Sequence, residues 1–291
     1  MNTKEKIIEW LLFACAALCV LTTLGIIAVL AIQSVQFFSE VPLKDFLTDT
    51  QWTPLFADKH FGILPLLSGT FLTTIIAITI ALPIGLTTAI YLSEYASKTF
   101  RSTVKPVLEI LAAIPTVVYG YFALTVVTPF LQIFFPSLSG FNAISPGIVM
   151  GLMIVPLISS LSEDALYAVP KSLREGAYAL GSSKLQTAFR VLIPAASSGI
   201  IVSIILAVSR ALGETMIVAI AAGQQPRLTL DPRVPIETVT TYIVQVSGGD
   251  VPHGSLEYKT IFSAGLSLFV ITLILNNISF FVKKKYREQY E

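Results

Sequence analysis

The sequence predicts an all-α fold, a polytopic membrane protein crossing the bilayer six times, and three observations carry that prediction. Of its 291 residues, 54% are hydrophobic and only 13% are charged, where a soluble domain carries roughly a quarter charged residues. Six apolar stretches reach or approach the roughly 20 residues that cross a hydrocarbon core. Lysine and arginine crowd into alternate connections between those stretches, the pattern that orients membrane proteins. The length suits one membrane domain and leaves no room for an added nucleotide-binding domain.

The first stretch, Ile7 to Phe38, outruns the ~7–15-residue core of a secretory signal, so it reads as an uncleaved span behind Lys4 and Lys6. Cys15 and Cys19 within it have no His or further Cys nearby. They read as small packing residues rather than metal ligands or a disulfide framework. The second and third stretches run from Ile63 to Leu92 and from Val107 to Phe135. The fourth, Pro146 to Leu161, is short, with Gly147 and Gly151 spaced for close helix packing. The fifth, Ile193 to Gly223, is longer than the core is thick at about 1.5 Å per residue and is expected to tilt or emerge on one side. The sixth runs from Thr260 to Val282. Pro83, Pro115, Pro129 and Pro156 lie inside apolar runs, which predicts kinked helices in a bundle.

A cytoplasmic N-terminus places Lys98, Arg101, Lys105, Lys171, Arg174, Lys184, Arg190 and the Lys283–Lys285 run inside. Only Lys44, Lys59, Arg227, Arg233 and Lys259 then lie outside. Both termini are therefore expected in the cytoplasm. The basic C-terminal run reads as a stop at the lipid surface, with no nucleic-acid role.

The connection between spans four and five, residues 162–192, carries a helix signal beginning near Lys171 after Pro170. Leu173, Ala177 and Leu180 share a face by spacing, and Gly181 sits where a C-cap belongs. Ser182 or Ser183 can cap a second helix running to about Leu192, and Pro194 opens the next span. Such a helix–turn–helix is either an interfacial loop on lipid or a docking element for a soluble protein.

Glu175-Gly176-Ala177, then Gly181, then Val191-Leu192-Ile193-Pro194, resembles the EAA loop of ABC importer permeases in spacing throughout. Gly176, Val191 and Ile193 depart from the residues that motif prefers. The resemblance implies the six-helix ABC importer permease fold, with this loop as a cytoplasmic coupling helix seated on an ATPase. It makes Leu173, Glu175, Gly176, Ala177 and Gly181 the coupling set.

Further matches narrow the family. Phe61-Gly62-Ile63-Leu64-Pro65 with Gly69-Thr70, the run from Glu109 to Gly120, Ser162-Glu163-Asp164-Ala165-Leu166 and Arg210-Ala211-Leu212-Gly213-Glu214-Thr215 are similar to segments of phosphate permeases. Pro252-His253-Gly254-Ser255-Leu256-Glu257-Tyr258 resembles the C-type subunit of those importers rather than its A-type relative. The implied assembly joins this chain to an A-type permease, a dimeric ATPase that brings ATP and Mg, and an external phosphate-binding protein, within the bacterial inner membrane. This chain itself then binds no cofactor. On that reading residues 1–60 form the first helix and an external loop, 61–285 the permease domain, and 286–291 a tail. Importers of molybdate or sulfate share the coupling loop, so another oxyanion is the alternative cargo.

Arg210 and Glu214 are the only charged residues deep in a span. Charges there are costly and usually face a pathway or partner. Their i, i+4 spacing places both on one helix face, and a guanidinium offers paired donors to an oxyanion. The pair is either a self-compensating structural bridge or, as favoured here, a substrate-pathway site in which Glu214 holds Arg210 until an anion competes. His60 and His253 are lone loop histidines without metal-ligand company. The outer segment from Gln224 to Tyr258 reads equally as a plain solvated loop or as one carrying a short amphipathic helix near Ile236 to Val246. The chain carries no P-loop, zinc-protease or nucleophile-elbow motif. Any ATP must be hydrolysed by a partner, which makes the chain a non-enzymatic subunit. A secondary transporter would be expected to show two similar halves with interrupted helices, and no such repeat is visible.

Overall fold

In a computed structural model that describes residues 3–285, with side chains for residues 5–281, the chain is helical, and among the described residues only two isolated bridges, Trp52–Phe61 and Gly223–Ile236, have β character. Helix α1 (Thr3–Phe38) leads to the short α2 (Leu43–Thr48) and then α3 (Leu64–Ile90), which continues into a π-helical turn at Tyr91–Tyr95. An amphipathic α4 (Lys98–Ala113) follows, then α5 (Thr116–Phe122), a π turn and α6 (Thr128–Phe134). The long α7 (Ile144–Tyr167) precedes the loop helices α8 (Lys171–Ala179), α9 (Lys184–Thr187) and α10 (Ile193–Ala195). Helices α11 (Ser197–Leu212), α12 (Met216–Ala221), α13 (Val239–Ser247) and α14 (Leu256–Lys285) complete the chain. The expected tail, residues 286–291, lies outside the described residues.

Among the described residues five helical segments are long and apolar enough to cross a membrane, and a sixth span results if Lys184–Ala195 and Ser197–Leu212, bent by 75°, count as one. The spans differ from the sequence expectation in three places. The third occupies Thr116–Phe134. Lys98, Arg101, Lys105 and Glu109 recur every three or four residues, which gives the preceding segment a polar face, and Pro115 separates the two helices. The fourth is a full span, because its helix continues through the polar Ser162-Glu163-Asp164 to Tyr167. The fifth run solves its excess length by breaking rather than by tilting as one rod, with the 75° bend at Ala196 and a second break at Gly213.

Helices α3 and α7 form the central pair. A β-carbon on Gly151 would lie 2.8 Å from the Ala77 carbonyl oxygen, and one on Gly147 would lie 2.7 Å from Ile76. Gly85 repeats the arrangement from the other helix, with Ile158 2.8 Å from where its β-carbon would stand. Small residues thus let the backbones meet closely, as lipid-embedded helices require in place of a hydrophobic driving force. Ala77, Ala81, Met150, Ile154, Ile158, Ala207 and Ile217 pack around this contact. A second cluster caps one end of the bundle, where Phe37, Phe46, Trp52, Ile63 and Leu66 meet Val239, Tyr242 and Val246 of α13. Helix α13 realises the helical reading of Ile236 to Val246, and it is packed into this core.

Prolines coincide with altered helical turns. The π turn Ala123–Val127 directly precedes Pro129, and the Thr128 hydroxyl donates to the Ala123 carbonyl at 3.0 Å. Another π turn, Ala188–Leu192, precedes Pro194. Wide turns of this kind absorb the hydrogen bond that a proline cannot make.

Replacing Gly151 by valine should overpack this contact, at a cost of about 1–3 kcal/mol. A lowered thermal midpoint of the purified, detergent-solubilised protein would register it, while Gly25→Ala, whose β-carbon meets nothing within 4 Å, should not lower the midpoint. In the 43–62 connection, His60 Nδ1 lies 2.8 Å from Asp49 Oδ2, and that hydrogen bond raises the His60 pKa. A raised folded pKa stabilises fully below the unfolded value near 6.5 and is lost as pH rises through the folded value. Amide exchange across residues 49–62, corrected for intrinsic rates, should therefore quicken as pH rises from about 6.5, and His60→Asn should remove that dependence.

Candidate coupling surface and transport pathway

Helix α8 starts behind Pro170 and ends in a Schellman turn. Gly181 adopts φ +85°, its N–H donates to the Tyr178 carbonyl at 2.9 Å, and Ser182 N–H reaches the Ala177 carbonyl at 3.1 Å. Only glycine takes this left-handed conformation without strain. Ser183 then caps α9 in a reciprocal capping box with Gln186.

The residues of the loop divide between two faces. Ala177 is buried and Leu173 half-buried against Leu166, Val169, Ala188 and Leu192 of the same chain. Glu175, Gly176 and Gly181 are exposed, together with Leu180, Leu185 and Phe189. Leu180 therefore does not share the inward face with Leu173 and Ala177. It stands at the helix C-cap, 89% exposed, because the helix ends before its spacing can place it. The exposed apolar residues leave a surface that water covers poorly.

Arg174 fixes α8 to the spans. Its guanidinium pairs with Glu94 at 3.1 Å, in the π turn that ends the second span, and donates to the Leu166 carbonyl of α7 at 2.8 Å. One side chain thus ties the loop to both members of the central helix pair. Beside it, the fully buried Glu163 of α7 forms ion pairs with Arg101 and Lys105 of α4, the latter at 3.0 Å, and Asp164 takes Lys105 at 2.8 Å. Arg101 also lies 4.4 Å over the Tyr167 ring. These cations are what allow α7 to carry two carboxylates near its end. Local sequence patterns carry no sign of the pairing, since Lys105 and Asp164 stand 59 residues apart.

Arg210 lies in the last turn of α11, where a cation complements the helix dipole. It is exposed, with Nη2 3.8 Å from Met153 Sδ. Glu214 is not on the same helix face, since α11 stops at Leu212 and Gly213 ends it. Its buried carboxylate instead accepts from the Ile217 N–H at 3.4 Å, at the start of α12. Among the described residues no ion pair joins Arg210 to Glu214. The helix break separates groups that an unbroken helix would have stacked.

The break is latched from α13. The Thr240 hydroxyl donates to the Glu214 carbonyl at 2.8 Å, and Thr238 Oγ1 lies 2.8 Å from Thr241 Oγ1 and 3.1 Å from Thr240 Oγ1. Val239 N–H reaches Thr70 Oγ1 of α3 at 3.1 Å. Thr238 to Thr241 therefore satisfy a broken span's freed carbonyl while holding α13 to the central pair, a use of hydroxyls that sequence reading missed.

Residues 81–288 match the family model described as binding-protein-dependent transport system inner membrane component, and the chain belongs to that family of ABC importer permeases, multi-pass proteins of the inner membrane. It is 37% identical over 263 residues to the probable ABC transporter permease protein YqgH of Bacillus subtilis, covering 90% of this chain and 85% of that one. It is 34% identical over 280 residues to the phosphate transport system permease protein PstC of Mesorhizobium japonicum, covering 89% and 84%. Its fold is similar to a crystallised bacterial alginate ABC transporter in complex with an alginate pentasaccharide-bound periplasmic protein, with a TM-score of 0.60 at 17% identity over 98% of this chain and 96% of that one.

The two glycines of α8 should respond oppositely to alanine. Gly176 has open space around its missing β-carbon, so Gly176→Ala should stabilise α8 by about 0.5–1 kcal/mol. Gly181→Ala should destabilise the turn by about 1 kcal/mol. Hydrogen exchange across residues 171–182 would show protection rising in the first variant and falling in the second.

Proposed function

We propose that this chain is a permease subunit of an ATP-driven importer of inorganic phosphate. The relatives named phosphate transport permease, 34% identical across most of the chain, support the cargo. The observation that carries the mechanism is the double tie of Arg174, which joins the exposed loop helix to Glu94 beyond α3 and to Leu166 of α7.

In this reading both termini and α8 face the cytoplasm, and α2 and α13 face outward, in keeping with the distribution of lysine and arginine. The partners are an A-type permease that supplies the other pathway wall, a dimeric ATPase under α8, and an external phosphate-binding protein. ATP and Mg act in the ATPase. Glu175, Gly176 and Gly181 present the loop surface to the ATPase, while Leu173 and Ala177 fasten it from behind. Closure of the ATPase moves α8, and Arg174 passes that movement to the spans.

Arg210 meets phosphate in transit. It is exposed, forms no ion pair among the described residues, and stands beside the helix break at Gly213. A guanidinium gives bidentate contacts to a phosphate oxygen pair, and a single site of this kind binds weakly enough to release. Glu214 lines the same stretch and holds the start of α12 in place.

The test is uptake of labelled phosphate in starved cells that lack the native permeases and carry this chain with its cognate subunits, with sulfate and molybdate as competitors. Uptake should require this chain and ignore both competitors. Arg210→Gln should reduce uptake about tenfold or more while assembly and basal ATP hydrolysis persist. Competition by another oxyanion would transfer the cargo assignment, and normal uptake by Arg210→Gln would remove the guanidinium from the pathway.

A further inference from the structure

At the end of the bundle that carries α13, a cavity of about 150 Å³ is walled by Trp52, Phe56, Gln225, Glu237, Tyr242 and Gln245 among others. Glu237 is 1% exposed, and its Oε1 is buried without a hydrogen-bond partner. Unpartnered buried carboxyl oxygens are costly and rarely kept. Nothing in the transport pathway described above uses this group.

The walls specify what the group can meet. Trp52 and Tyr242 stand edge to face with ring centroids 5.0 Å apart, and aromatic surfaces of this kind favour organic cations. No lysine, arginine or histidine lies among the lining residues. The nearby Arg227 is engaged with Gln225 Oε1 at 2.8 Å, and Lys59 is paired with Glu257. Burial pushes the pKa of the Glu237 carboxyl up to about 8, and a cation seated beside it would stabilise the carboxylate. At the rim, Phe56 is 67% and Leu55 44% exposed, apolar side chains suited to a protein surface.

We propose that this cavity receives a lysine or arginine side chain from the protein that docks on this face, with Glu237 as the counter-charge and Trp52 and Tyr242 as its walls. The partner is the external binding protein of the preceding section, and the inference rests on that reading. A basic side chain is favoured over an inorganic ion because the volume suits an alkylammonium or guanidinium head. Aromatic walls also replace little of an inorganic ion's hydration. Position adds a consequence. Glu237 directly precedes the Thr238–Thr241 latch, whose Thr240 holds the Glu214 carbonyl at the helix break. A side chain seated on Glu237 therefore bears on the segment that holds the pathway break.

The experiment measures docking of the cognate, phosphate-loaded binding protein to the complete importer in lipid nanodiscs. Glu237→Gln, isosteric with the neutral acid, should weaken docking about tenfold or more, with basal ATP hydrolysis unchanged. Gln245→Lys, at an exposed position on the cavity wall, should weaken it similarly by supplying a cation from within. A double-mutant cycle against each lysine and arginine on the binding protein's docking face should find one whose loss costs nothing further beside Glu237→Gln. Docking by Glu237→Gln within about twofold of wild type, or strictly additive losses for every basic residue, would overturn the proposal and leave the importer reading standing. Failure of the wild-type complex to dock any phosphate-binding protein would instead overturn the partner assignment and this site with it.

Discussion

The close approach of α3 and α7 is the contact on which the other elements are arranged. Three glycines, at positions 85, 147 and 151, leave their neighbours room to come within normal backbone distance. In a bilayer there is no water to expel between helices, so dispersion contacts over such a seam are the main source of adhesion. Around it, α11 lays Ala207 and Ala211 against the pair, and Ile217 of α12 closes the same core. A helix pair packed this tightly moves as a unit, since interiors at this density transmit displacement rather than absorb it.

The irregular parts of the chain follow from a second constraint, that every backbone polar group at membrane depth must be satisfied. The fifth span breaks after Leu212, and its loose carbonyl at Glu214 is met by a threonine from α13. The third span widens into a π turn, where the Ala123 carbonyl accepts both the backbone N–H and the hydroxyl of Thr128. Charged groups near the membrane surface obey the same logic. Glu163 has no exposure, and it is tolerated because α4 delivers Arg101 and Lys105 to it. A polar face on α4 is therefore a structural necessity for α7 as well as a fit to the interface.

How much of this the sequence disclosed depended on the range of the interaction. Local patterns were legible: the apolar runs, Gly181 as a helix stop and Ser183 as a cap. The EAA spacing located α8 because it joins a local helix signal to a fixed glycine. Long-range pairings were not legible. Glu163 with Arg101, Arg174 with Glu94 and Thr240 with Glu214 all depend on which spans lie side by side, which no single span records. The reading of Arg210 and Glu214 as stacked groups failed for a related reason. An i, i+4 argument assumes a continuous helix, and the Gly213 that breaks it lay between the two residues. Length gave the available warning, since a run longer than the bilayer is thick must bend, tilt or break.

The two ends of the molecule can be compared as attachments to one body. At one end Arg174 holds α8 to the Leu166 carbonyl of α7 and to Glu94 beyond α3. At the other, Thr70 of α3 receives the Val239 N–H of α13, and Thr240 receives the break in the fifth span. The α3–α7 pair is common to both sets of contacts. Packed helices thus connect α8 with α13, and any coupling they carry would run in both directions. Reciprocity of this kind is required thermodynamically of any coupling between two binding sites. It makes the α13 end as able to influence the loop as the loop is to influence the α13 end. Helix α11 is the element that differs, because it is joined to α12 only through the three residues at its break. The joint between α11 and α12 therefore lies beside Arg210, with the exposed guanidinium carried on one side of the break and the latched Glu214 on the other.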